Sequence, residues 1–191
     1  MSHYRLAAHL ITALGLMSYI FWVALSIKNE QVTQGDSKFR TAIKWFLGLI
    51  VIQLIYGAFV AGLKAGFIYN TYPKMGDNWL PLDANLAMEE LGVFGLMESP
   101  GLVQFMHRVL AVLVLVGLAL LWQKAIKEKV HRRVQAGIYA PSIAVGVQFI
   151  LGVLVLLYGV PIYLGVLHQF VAIVVLMSAV YITHSMRRRY S

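Results

Sequence analysis

The sequence predicts an all-α polytopic membrane protein of five transmembrane helices, and three observations carry that prediction. Of 191 residues, 60% are hydrophobic and only 13% are charged, against roughly 25% charged in an ordinary soluble domain. The apolar residues fall into blocks of about 20, each long enough to cross a hydrocarbon core of about 30 Å. The basic residues gather at the ends of those blocks. The net charge of +8 therefore reads as topology determinants and headgroup contacts, not as a nucleic-acid surface.

The five spans are residues 6–27, 41–63, 101–122, 134–158 and 162–184, forming a single membrane domain over 1–191. Each is expected to be helical, because a lipid-exposed backbone has no water to satisfy its polar groups. The first block is too long for a signal-peptide core and is followed by no small-residue cleavage site. The second starts after a short connection containing Lys28, Lys38 and Arg40. Residues 64–100 form a long loop carrying Asp77, Asp83, Glu89, Glu90 and Glu98, punctuated by Gly and Pro. The third span ends at a basic connection (124–133), and a bare turn at 159–161 joins the fourth and fifth.

Counting Lys44 with its adjacent loop, 12 of the 16 Lys and Arg lie in the first loop, the third loop and the tail Arg187-Arg188-Arg189; the exceptions are Arg5, Lys64, Lys74 and Arg108. The positive-inside rule then places the N-terminus outside, the long loop outside and the C-terminus inside. Trp22, Trp45 and Trp122 fall at the inner helix ends, as an aromatic belt would place them. The absence of cysteine excludes disulfides, thiolate metal sites and cysteine nucleophiles. No phosphate-binding glycine loop, dinucleotide fingerprint or nucleophile triad is present.

Six histidines occur, and topology sorts them. His3, His131 and His184 fall at helix ends or in the inner loop and read as polar interfacial residues. His9, His107 and His168 lie within helices that all run from outside to inside. His107 and His168 are each six residues into their predicted spans, roughly 9 Å deep at 1.5 Å per residue, and His9 is about 5 Å deep. Ionisable residues inside a membrane are costly and are functional candidates by default. A weak repeat supports the pair: Ile52-Gln53-Leu54-Ile55-Tyr56-Gly57 in one span parallels Val147-Gln148-Phe149-Ile150-Leu151-Gly152 in another, and each is followed by a histidine-bearing helix. Neutral imidazole is a good axial ligand for haem iron, and Ala13, Ala111 and Ala172, four residues after each histidine, keep the same faces small. Zinc or non-haem iron would want carboxylates at that depth, and the acidic residues lie outside the apolar blocks. The predicted architecture is thus a four-helix haem-binding bundle with one preceding helix. Gln53 and Gln148 read most plainly as packing bonds across helices, the alternative being a bond to a ligand histidine. Gly57 and Gly62 read as close helix approaches.

The segments Gly57-Ala58-Phe59-Val60-Ala61-Gly62-Leu63-Lys64-Ala65-Gly66, Tyr69-Asn70-Thr71-Tyr72-Pro73-Lys74-Met75-Gly76 and Val103-Gln104-Phe105-Met106-His107-Arg108 closely resemble the second half of the haem A synthase family. The spacing through Trp79, Pro81 and Glu98 and the final His168-Gln169 match as well. Arg5-Leu6-Ala7-Ala8-His9-Leu10 resembles the last helix of that family's first half. The family has eight helices in two similar halves and oxidises a ring methyl of haem O to the formyl of haem A.

The resemblance implies that His107 and His168 are the axial pair of a haem b, with haem O and haem A as substrate and product. His9 would be one of two first-half ligands, and Arg108 and Lys64 would pair with haem propionates, with a snorkelling side chain the alternative for Arg108. Counterparts of the family's first three helices, with the partner of His9 and the glutamate expected in the first outer loop, are not among these residues. The expectation is a partial or split synthase, the alternative a bis-histidine b-type cytochrome or an oxidase assembly factor without synthase activity. The implied partners are the lipid bilayer, haem, a missing N-terminal half, haem O synthase, cytochrome oxidase subunits or a second copy of the chain. The expected location is a bacterial cytoplasmic membrane rather than a mitochondrial inner membrane.

Overall fold

The computed structural model describes residues 2–28, 37–128 and 132–186. His131, Lys129 and the tail Arg187-Arg188-Arg189, used above for topology, lie outside the described residues. Five long helices dominate: α1 (His3–Ile27), α2 (Ser37–Gly62), α5 (Pro100–Lys127), α6 (Arg132–Leu157) and α7 (Ile162–Ser185). All five are long and apolar enough to span a bilayer. The chain is an integral membrane protein of all-α class.

The helix ends differ from expectation where apolarity and helicity part company. The helix α1 begins at His3, because polar residues at a membrane surface can still close backbone hydrogen bonds. For the same reason α5 runs on through Gln123 to Lys127, with Lys124 and Lys127 in its last turn, where cations suit the helix dipole. Its start is fixed by Ser99, whose hydroxyl accepts from Leu102 N at 3.3 Å, and by Pro100 in the first turn, where a missing N–H costs nothing. At the same end of the bundle, α6 closes in a Schellman motif: Gly159 N donates to Leu156 O (3.1 Å) and Val160 N to Val155 O (2.8 Å). Gly159 supplies the positive φ of 71° that the motif requires.

The long segment between α2 and α5, expected from charge to lie outside, is not a plain loop. It holds two short helices, α3 (Ala84–Leu91) and α4 (Gly95–Glu98), which pack back on the start of α5 through Ala84, Ala87 and Leu102. Short apolar stretches among polar residues gave no helical period in the sequence.

In the bundle, α2 packs extensively on α5 and α6 on α7; α2 also meets α7, while α5 and α6 touch only sparingly. The four form a ring in which α5 and α7 stand on a diagonal, and α1 lies outside against α2 and α7. The half of the ring at the α5 C-terminus, the inner half in the topology expected from charge, is densely filled by Phe39, Ile43, Phe46, Ile50, Val114, Leu118, Ile138, Val145, Leu176 and Ala179, all buried. Towards the outer half the interior positions become half-exposed: residues 53 and 57 on α2, 107 and 111 on α5, 148 and 152 on α6, 168 and 172 on α7.

Candidate functional site

His107 and His168 sit in that more open outer half, on the diagonal helices α5 and α7. Each is gripped by the helix paired with its own. The Gln53 amide nitrogen of α2 lies 3.4 Å from His107 Nε2, and the Gln148 amide nitrogen of α6 lies 3.1 Å from His168 Nε2. One turn further along each glutamine helix is a glycine facing the same ring. A Cβ on Gly57 would stand 3.3 Å from His107 Cε1, and one on Gly152 would stand 3.0 Å from His168 Cε1. The repeat read in the sequence is therefore a repeat of contacts: Gln, then Gly four residues on, holding the imidazole of the partner helix.

This corrects two sequence readings. Gln53 and Gln148 are not generic packing residues but partners of the two histidines. Gly57 makes room for an imidazole rather than for a helix backbone. In both sites the second ring nitrogen, Nδ1, is buried without a hydrogen-bond partner. An amide nitrogen can only donate, so Nε2 accepts in each pair and is the ring nitrogen that carries the unshared pair. Among the described residues no group of three or more His, Cys, Asp or Glu is placed to hold a metal ion.

Alanine at Gly152 is expected to displace the His168 ring by a few tenths of an ångström, and alanine at Gly57 to displace His107 by less. The Nδ1 and Cε1 NMR shifts of the two histidines would read this, with the larger change at His168. Equal or absent shifts would show that the glycines do not set the rings.

Arg108, next to His107, is half-buried. Its Nη2 donates to Tyr69 O (2.9 Å) and its Nη1 to Lys74 O (3.0 Å) and Pro73 O (3.4 Å). Gln104, one turn earlier and buried, donates to the same Tyr69 O at 3.0 Å. The guanidinium thus holds the outer segment, a role neither propionate pairing nor snorkelling anticipated, and its Nε remains buried without a partner. Lys64 is exposed just beyond α2, with a φ of 53°. His9 lies on the exposed face of α1 with Thr12, Leu16, Ile20 and Val23, and the structure does not bring it to the other two.

The remaining described histidines are more than interfacial. His184 is fully buried, 3.0 Å from Ser26 Oγ and edge-on to Trp22 at 4.8 Å, fastening α7 to α1. His3 is buried against Phe59 at 5.4 Å, its Nε2 3.9 Å from Glu98 Oε2, while Tyr4 OH donates to Glu98 Oε1 at 2.7 Å. Sequence position alone could not show either, because burial at a helix end depends on which helix docks there.

A polytopic membrane protein with duplicated two-helix units, each presenting one half-buried histidine, is the class that fold and site define. The chain belongs to the COX15-CtaA family, described as cytochrome oxidase assembly protein, which matches residues 1–180. It is 37% identical over 183 residues to Heme A synthase of Flavobacterium psychrophilum, covering 96% of this chain and 54% of that protein. It is 36% identical over 188 residues to Heme A synthase of Flavobacterium johnsoniae (98% and 55%). It is 36% identical over 194 residues to Heme A synthase COX15 of Arabidopsis thaliana (98% and 42%). The chain spans about half the length of these curated relatives.

Proposed function

We propose that the chain is a haem-binding membrane oxidoreductase unit of haem A biosynthesis, with His107 and His168 the axial ligands of a haem b. The observation that carries this reading is the paired geometry: two half-buried imidazoles on diagonal helices, each with its Nε2 facing the amide of a glutamine on the paired helix. The residues fit the group. A haem needs two opposed nitrogen donors, an apolar surround and cations at one edge. The four helices are apolar through these positions, Arg108 follows His107 directly, and Lys64 lies just past the end of α2, the helix that carries Gln53 and Gly57.

Bound there, haem iron would supply one-electron redox chemistry. Gln53 and Gln148 orient the two rings through Nε2. Gly57 and Gly152 let the rings lie against the helices instead of across the interior. The dense inner half shuts the site from the cytoplasmic side. Arg108 Nε is the donor left for a propionate, and Lys64 adds charge at the rim. His9 would serve a second site, where haem O is oxidised to haem A, completed by a further half, another subunit or a second copy. The reading places the protein in a bacterial cytoplasmic membrane, N-terminus outside, alongside haem O synthase and cytochrome oxidase subunits.

A second reading, a bis-histidine b-type cytochrome or assembly factor without synthase activity, is favoured by one observation: His9 stands apart from the other two histidines on an exposed face. The test is to purify the chain in detergent, record oxidised and reduced spectra with a pyridine haemochrome, and then supply haem O and an electron acceptor. Haem A formed from haem O supports the synthase unit. Haem b held without turnover supports the electron carrier. A folded chain that takes up no haem would sink both.

A further inference from the structure

The helices that carry the two histidines belong to different pairs, and those pairs meet least where α5 faces α6. The outer segment 69–74 lies across that gap. On the α5 side it is held by Gln104 and Arg108, which converge on Tyr69 O, and by Arg108 again at Lys74 O. On the α6 side Asn70 Nδ2 donates to Leu156 O at 2.9 Å while also bonding Gly66 O at 2.9 Å. Tyr72 lies edge-on to Phe149 at 6.0 Å. The segment has its own internal brace, since Thr71 Oγ1 donates to Lys74 O at 2.8 Å and accepts from Gly76 N at 2.7 Å.

Its anchors are adjacent in sequence to the candidate ligands. Arg108 follows His107, and Phe149 follows Gln148, the partner of His168. We infer that segment 69–74 is a strut that fixes the separation of the two helix pairs, with Asn70 and Gln104 its positioning residues, and so sets how the two imidazoles oppose each other. The inference deepens the haem reading and rests on it for its consequence, but the mechanical part stands without haem. Five donor bonds to main-chain oxygens cross from side chains at fixed points on α5 and in the segment. Backbone acceptors cannot change rotamer, so a strut bonded to them is stiffer than one made of two flexible side chains.

The chain has no cysteine, so spin labels can be placed at will. Labels at Val112→Cys on α5 and Ile150→Cys on α6, both exposed, report the gap by double electron–electron resonance on the full chain in detergent, free of haem. Asn70→Ala, and the equal-sized Asn70→Asp that replaces the donor by an acceptor, are each expected to widen the distance distribution, as is Gln104→Leu. In chain loaded with haem b the same variants are expected to broaden the low-spin ferric resonance. They should also release haem to apomyoglobin about tenfold faster, the equivalent of one lost buried hydrogen bond. Unchanged distances in helical, folded variants would overturn the strut. If the unsubstituted chain takes up no haem, the distance measurement still decides the strut, and only the haem reading falls.

Discussion

Alanine at His107 or at His168 is expected to abolish the low-spin haem spectrum of the chain while leaving its helices in place. Each imidazole is held at one nitrogen by a glutamine of the neighbouring helix, so removing either ring leaves one axial position empty rather than letting a neighbour move in. Of the other described histidines, His9 faces outward on α1, outside the four-helix ring, and His184 and His3 are engaged at the ends of α7 and α1. Leucine at Gln148 should have a smaller effect in the same direction, roughly 10–100-fold weaker retention, the usual cost of losing a residue that orients a metal ligand. Imidazole added to the alanine variants should restore part of the low-spin signal, because it fits the space the lost ring leaves. A low-spin spectrum that survives in both single variants would show that the ligands lie elsewhere.

Alanine at Gly62 is expected to give the largest loss of stability of any single methyl added to the bundle. A Cβ there would stand 2.6 Å from His3 Cβ and 2.7 Å from His3 Cα. Neither atom is the end of a flexible chain, so α1 must move bodily away from α2. That movement would pull His3 from Phe59 and both His3 and Tyr4 from Glu98. The cost is about 1–3 kcal/mol, typical of overpacking a close contact, read as a lower midpoint in SDS titration of the detergent-solubilised protein. His3→Ala should not rescue it, because alanine keeps both clashing atoms. Rescue by His3→Ala would mean that the imidazole, and not the backbone approach, makes the contact.

Gly62 and Gly57 show where sequence reading stopped. Both were legible as glycines of α2 that admit something close. Only the structure says that one admits a helix backbone and the other an imidazole, because that depends on the rotation of α2 about its axis. Block length and hydropathy gave the five spans, and depth along parallel helices gave His107 and His168 as a pair. Both are one-dimensional quantities. The pairing of Gln53 with His107 and of Gln148 with His168 depends on rotational register between helices, which neither depth nor charge encodes. The packing of α1 decided the fate of His3 and His184, whose sequence positions at helix ends looked merely polar. Arg108 was visible as a cation beside a ligand candidate, but its carbonyl partners come from a segment more than thirty residues earlier.

The two glutamine–histidine contacts are alike in geometry and unlike in how far apart their members lie along the chain. Gln148 and His168 are separated by 20 residues and joined by a turn of three or four, whereas Gln53 and His107 are separated by 54. Loop closure costs more chain entropy for the longer separation, and contacts local in sequence form early. The α6–α7 hairpin can therefore assemble its imidazole grip as it inserts, as a finished half-socket. The α2–α5 grip must wait for the outer segment to fold. Order of assembly is thus written into loop length: one wall of the site is built in advance, and the other closes against it.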